Sequence, residues 1–131
     1  MGEVEDILTG LRRVAVVGLS PKTDRPSYGV ASYLKNHDFE VIPVNPSATE
    51  ILGLKSYPDL RSIPGPVDLV NIFRRSEDVG PIVEDAITIG TKVVWMQDGV
   101  VNEEAATKAR KAGLKVVMDE CIMREHHRLN A

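Results

Sequence analysis

The chain has 131 residues, 43% of them apolar, enough for one ordinary core. Its formal net charge of −3 argues against a general nucleic-acid partner, and no apolar run approaches the roughly 18 residues that span a bilayer. Cys121 is its one cysteine, so an internal disulfide framework is excluded and a reducing, cytoplasmic setting is expected. Near the start, Glu3, Glu5 and Asp6 interrupt any apolar centre, so no signal peptide is read there.

In chain order, Val4, Ile7, Leu8 and Leu11 fall at helical spacing and predict a short amphipathic helix. Val14 to Val17 reads as a buried strand. It runs into Gly18, Leu19 and Ser20, then a loop carrying Lys22 and Arg25. A helix from about Tyr28 to Asn36 follows, burying Val30, Tyr33 and Leu34. Phe39 to Val44 is the second strand, stopped by Asn45-Pro46. Ser47 to Gly65 reads as irregular, with a short helix near Asp59 to Ser62. Val67 to Phe73 is a third strand, apolar apart from Asp68 and Asn71, and such runs indicate burial on both faces. Ser76 is the expected N-cap of a helix reaching Ile89, with Gly90 ending it. Lys92 to Met96 is the fourth strand. Asn102 caps a helix from Glu103 to Ala112, Leu114 to Met118 is the fifth strand, and a short helix holds Ile122 to Arg128.

The alternation of strand and helix predicts an α/β fold: a Rossmann-like, doubly wound, five-stranded parallel sheet with helices on both faces. The expected strand order, counted along the chain, is 3-2-1-4-5. A strand, a glycine turn and a helix N-terminus make an anion site, because free N–H groups and the helix dipole both favour negative charge. The opening unit around Gly18 therefore points to a phosphorylated ligand.

In such sheets ligands lie at the carboxyl ends of the strands. The candidates are Gly18, Leu19, Ser20, Lys22 and Arg25 after strand one, and Asn45, Pro46 and Ser47 after strand two. Arg74, Arg75 and Ser76 follow strand three, Gln97, Asp98 and Gly99 follow strand four, and Asp119, Glu120 and Cys121 follow strand five. A cation beside a helix N-terminus opposes the dipole, so an anion between Arg74-Arg75 and the helix would relieve the conflict. The dinucleotide fingerprint G-x-G-x-x-G is absent, since the chain reads Gly18-Leu19-Ser20-Pro21. Asn45-Pro46 also replaces the acidic residue that grips a ribose 2′-OH, which disfavours NAD. Neither a metal-ligand spacing nor a base–nucleophile pair is evident, so no catalytic or metal residue is assigned. His37, His126 and His127 read as surface or packing residues, and Cys121 as a small buried one.

Several blocks resemble a known family. They are Val14-Ala-Val-Val-Gly-Leu-Ser20, Val41-Ile-Pro-Val-Asn-Pro46, Ile51-Leu-Gly-Leu-Lys-Ser-Tyr-Pro58, Val67-Asp-Leu-Val-Asn-Ile-Phe-Arg74, Val94-Trp-Met-Gln-Asp-Gly-Val100 and Met118-Asp-Glu-Cys-Ile-Met-Arg-Glu-His126. Together they resemble the small single-domain coenzyme A-binding proteins. That fold is also the CoA-binding domain of succinyl-CoA synthetase α subunits and ADP-forming acyl-CoA synthetases.

The resemblance implies that residues 1–131 form a single CoA-binding domain and that coenzyme A, or an acyl-CoA, lies across the strand tips. Gly18, Ser20 and Arg25 to Ser27 would hold the pyrophosphate. Asn45, Pro46 and Ser47 would follow the ribose and 3′-phosphate. Phe73 and Arg74 would flank the adenine and pantetheine, and Gln97 would approach the pantetheine. The chain departs from the family at Ser47, where Lys or Arg is frequent, and Lys22, Arg25, Lys55 or Arg74 would compensate. Lacking the synthetases' further domains and glycine-flanked histidine, it reads as a binding module without catalysis, with a regulatory or carrier role and room for a protein partner. Two alternatives stand beside this reading: an NAD(P)- or other nucleotide-dependent enzyme, and an interaction module with a vestigial site.

Overall fold

The computed structural model describes residues 2–130. The main sheet is built from β1 (Arg13–Val17), β2 (Glu40–Val44), β5 (Leu69–Ile72), β6 (Val93–Met96) and β7 (Lys115–Val117), all parallel, in the order β2-β1-β5-β6-β7. A small antiparallel hairpin, β3 (Glu50–Ile51) with β4 (Leu54–Lys55), lies in the stretch the sequence reads as irregular. The helices are α1 (Glu3–Leu8), α2 (Pro26–Lys35), α3 (Val79–Ile89), α4 (Glu103–Lys111) and α5 (Ile122–Leu129).

The strands are apolar on both faces because each face meets helices. Successive side chains alternate, so Ala15, Val17, Val70, Ile72, Val94 and Met96 pack against Val79, Val83 and Ala86 of α3 and Ala105, Ala106 and Ala109 of α4. The alternate set, including Val14, Val16, Leu69, Val93 and Trp95, packs against Val30, Ala31 and Leu34 of α2, Ile122 of α5, and Ile7 and Leu8 of α1. Tyr33 is only partly buried on this second face.

The class of fold matches the sequence reading, but the strand order does not. Counting only main-sheet strands along the chain, the order is 2-1-3-4-5, whereas 3-2-1-4-5 was expected. The reason is that the outer edge of β2 is already taken. Tyr57 donates its N–H to the Pro43 carbonyl (3.0 Å) and accepts from the Asn45 N–H (2.9 Å), bridging Val44. Pro43 has no N–H to offer on that side, which suits an edge. The third main strand, β5, therefore crosses back and pairs with β1. This moves the reversal of strand order to the seam between β1 and β5, where such sheets bind ligands.

One capping expectation also changes. Ser76 does not cap α3, because a 3₁₀ turn (Ser76–Asp78) intervenes. Its Oγ instead accepts from the Val101 N–H (2.9 Å), tying the tip of β5 to the loop after β6. Asn102 does cap α4, accepting from the Ala105 N–H at 2.9 Å.

Candidate functional site

Gly18 stands at the seam. Its φ is +86°, and a Cβ there would lie 2.5 Å from the Phe73 carbonyl oxygen and 3.0 Å from Arg74 Cδ. Only glycine lets the tips of β1 and β5 come this close. Leu19 follows, fully buried in the core through its side chain. Its backbone stays at the tip: the carbonyl accepts from Asn45 Nδ2 (2.9 Å), and the N–H holds no hydrogen bond among the described residues.

The loop after β1 is folded onto α2 by serines. The Ser20 N–H donates to Ser27 Oγ at 3.0 Å, and Ser20 Oγ accepts from the Lys22 N–H at 3.1 Å. Ser27 is therefore buried and occupied, while Lys22 and Arg25 are exposed and make no ion pair among the described residues. Arg25 is the N-cap residue of α2 and offers no side-chain cap, and Pro26 fills the first helical position. The helix thus opens with an uncapped positive end beside two unpaired cations.

Asn45 is likewise occupied. Besides holding the Leu19 carbonyl, its Oδ1 accepts from the Ser47 N–H at 2.7 Å. It fastens the tip of β2 to that of β1 and leaves Pro46 and Ser47 exposed along the rim. Arg74 and Arg75 share Asp78: Arg75 Nε donates to Asp78 Oδ2 at 3.0 Å, and Arg74 Nη2 lies 3.7 Å from the same oxygen. The anion expected between these arginines and the helix is supplied, in this structure, by the chain itself.

These residues enclose a crevice of about 510 Å³ bounded by Gly18, Ser20, Asn45 to Ser47 and Phe73 to Arg75, with Asp78 at its edge. A larger cleft of about 1110 Å³ adjoins it, and Phe73, Arg74 and Arg75 line both. Its walls come from a stripe of α2 (Pro26, Gly29, Val30, Tyr33) and from one side of α5 (Met123, Arg124, His127), with Gln97, Val100 and Cys121 from the loops between.

Gln97 is 4% exposed. Its Oε1 accepts from Asn71 Nδ2 (3.1 Å) and from the Ile122 N–H (2.9 Å). Nε2 has no partner among the described residues and is not sealed from solvent, so it addresses the cleft that Gln97 lines. Asn71 is fully buried behind it, with Oδ1 unpartnered. At the mouth, Arg124 grips Asp98 with two bonds of 2.9 Å and Glu120 with one of 3.3 Å. The hydrogen bond from Arg124 holds the Asp98 carboxyl below the usual range, and the same bond raises the guanidinium. Both groups stay charged.

Behind the cleft, Tyr33 and His126 tie α2 to α5. The Tyr33 hydroxyl lies 2.8 Å from His126 Nδ1, and the His37 ring stacks on Tyr33 with centroids 3.9 Å apart. Burial lowers the His126 pKa, and the charges of His37 and His127 lower it further. His37 and His126 pack as the sequence suggests, whereas His127 lines the cleft.

The structure thus brings Gly18, Ser20, Asn45, Pro46, Ser47, Phe73, Arg74 and Arg75 around the crevice and places Gln97 in the cleft. The side chains of Leu19 and Ser27 are turned inward. Lys22 and Arg25 stand on the adjoining loop and line neither space. The cleft walls on α2 and α5 were missed. The spacing of Pro26, Gly29, Val30 and Tyr33 marks one helical face, but only the fold shows which partner that face leaves uncovered.

A parallel sheet with a glycine seam at the reversal of strand order and adjoining polar and apolar spaces places the chain among the Rossmann-like α/β proteins. Residues 12–127 match the family model described as CoA binding domain, and the chain belongs to that family. It is 43% identical over 124 residues to uncharacterized protein YneT of Bacillus subtilis (strain 168), covering 95% of this chain and 92% of that protein. Acetate–CoA ligase [ADP-forming] II subunit alpha of Pyrococcus furiosus is 30% identical over 133 residues, covering 92% of this chain but only 29% of the ligase subunit. Among solved structures, a hypothetical protein from Pyrococcus horikoshii OT3 superposes with a TM-score of 0.95 at 43% identity, over 98% of this chain and 90% of that one.

Proposed function

We propose that the chain binds coenzyme A or an acyl-CoA across the strand tips and carries out no acyl chemistry of its own. The observation behind this reading is the continuity of two unlike spaces. A crevice edged by arginines suits a phosphorylated nucleotide, and a longer apolar cleft, entered past Phe73 and Arg74, suits a neutral arm. Coenzyme A has both parts in one molecule.

In this reading the N–H groups of Leu19 and Ser27, with Lys22 and Arg25, receive the pyrophosphate. Pro46 and Ser47 border the ribose side. Arg74 and Arg75 exchange Asp78 for ligand phosphate. Gln97 Nε2 donates to an amide carbonyl of the pantetheine. Asp98 is neutralised by Arg124, which makes it a poor general base and supports binding without catalysis.

Calorimetric titration with CoA, acetyl-CoA, NAD and ATP at one fixed salt concentration tests this. Binding of CoA and acetyl-CoA ahead of NAD and ATP is expected. A preference for NAD would transfer the assignment to a dinucleotide enzyme.

A further inference from the structure

Cys121 is 6% exposed and lines the same cleft as Gln97. The two are joined through the backbone, because the N–H of the next residue, Ile122, donates to Gln97 Oε1 at 2.9 Å. Gln97 is nearly sealed, yet its Nε2 remains unpartnered on the cleft side. Open to the cleft and without a protein acceptor among the described residues, this amide N–H is free to donate to an acceptor on whatever fills the cleft. An amide carbonyl close to a thiol is the chemistry of the pantetheine end. Cys121 is also the N-cap residue of α5, whose first N–H, that of Ile122, is held by Gln97 Oε1. The helix dipole at this end favours negative charge where a sulfur anion forms during exchange.

We propose that Cys121 is a thiol–disulfide exchange site selective for the disulfide of coenzyme A, an inference that rests on the ligand reading above. The Cys121 sulfur, having lost its proton to solvent, attacks one sulfur of CoA disulfide. A bond forms between Cys121 Sγ and that sulfur, the CoA–CoA disulfide bond breaks, and one CoA leaves as thiolate and takes up a proton. No net oxidation occurs, since the disulfide is carried over to the protein. The crevice holds the nucleotide, the cleft leads the arm inward, and Gln97 fixes the amide nearest the sulfur. A second thiolate attacking the CoA sulfur of the adduct breaks its bond to Cys121 Sγ, leaves with CoA as a mixed disulfide and returns Cys121 as thiolate, so the protein alternates between a free site and one closed by its own ligand.

Because Cys121 is the single cysteine, intact-protein mass spectrometry reports the reaction without a variant. Folded protein is incubated with CoA disulfide or with glutathione disulfide, and the adduct is followed over time. The expected result is one adduct, removed by dithiothreitol, forming at least about tenfold faster with CoA disulfide because the nucleotide end positions the sulfur. Acetyl-CoA, which occupies the site but offers no disulfide, slows it. Equal rates for the two disulfides, or no CoA adduct, overturn the proposal. Titration with reduced CoA on the same preparation separates the two readings. Binding without adduct removes only the exchange site, and absence of both binding and selectivity removes the CoA assignment too.

Discussion

The two faces of the sheet are made differently. On the α3–α4 face the buried strand positions are all apolar, and the alanines of α4 let that helix lie close. Arg61–Asp85 (2.8 Å) and Lys108–Glu84 bridge its outer surface. A hollow between α3 and α4 is lined by side chains such as Glu84, Asp85 and Lys108, and no strand tip reaches it. On the α2–α5 face the strands carry Asn71 in mid-sheet, level with Val16 and Trp95, and Gln97 just beyond. There the helix starts stand apart and leave the cleft. One face holds the fold together, and the other keeps buried polar groups incompletely paired, which is the usual mark of a working site.

The sharpest way to break this contrast is at the seam. Gly18→Ala places a methyl group against the Phe73 carbonyl in a left-handed backbone, and should cost about 3 kcal/mol in urea unfolding. Gly99→Ala has a similar φ of +77° but open space around it, and should cost only about 1 kcal/mol. Equal losses would mean the close approach of β1 and β5 is unimportant.

Arg25→Ala should weaken CoA binding by about 1.5–3 kcal/mol, the range for a charge-assisted bond, with the apo melting temperature nearly unchanged. Lys108→Ala, on the other face, should leave CoA affinity unaltered. Calorimetry on both variants checks the pair, and a loss in Lys108→Ala as large as in Arg25→Ala would erase the distinction.

Gln97→Ala strips the acceptor from Asn71 Nδ2 and from the Ile122 N–H. It should cost about 2 kcal/mol of stability and loosen the start of α5, seen as faster amide exchange there. A neutral result would show that the two donors find other partners.

The smallest effect concerns pH. His126 is held neutral, with its folded pKa below the ordinary 6.5. The unfolded chain then binds more protons as pH falls through 6.5, so stability declines on acidification and levels off below the folded pKa. His126→Phe should flatten that limb in unfolding curves collected between neutral and mildly acid pH. An unchanged limb would assign it to other groups.

Much of this was legible in the sequence because buried parallel strands are written as apolar runs. All five main strands were located, their ends shifted by a residue or two. The Asn102 cap and the turn at Gly18 were equally plain. Strand order was not, since it hangs on Tyr57 occupying the edge of β2, a contact between irregular segments. Site residues were read as strand tips, which puts Gly18, Asn45, Arg74 and Gln97 along the crevice and cleft but does not separate outward from inward side chains. Those of Leu19 and Ser27 turn out to be buried. The cleft needed α2 and α5 side by side, elements far apart in the chain. Asn71, polar within an apolar strand, was the clearest local sign of which face is open.

The most direct test of the account is backbone and side-chain amide NMR of nitrogen-labelled protein titrated with CoA. Shifts should concentrate at Gly18, Leu19, Ser20, Arg74, Arg75 and the Gln97 side-chain amide, with α3 and α4 silent. Shifts centred on α3 and α4, or none at saturating CoA, would contradict it.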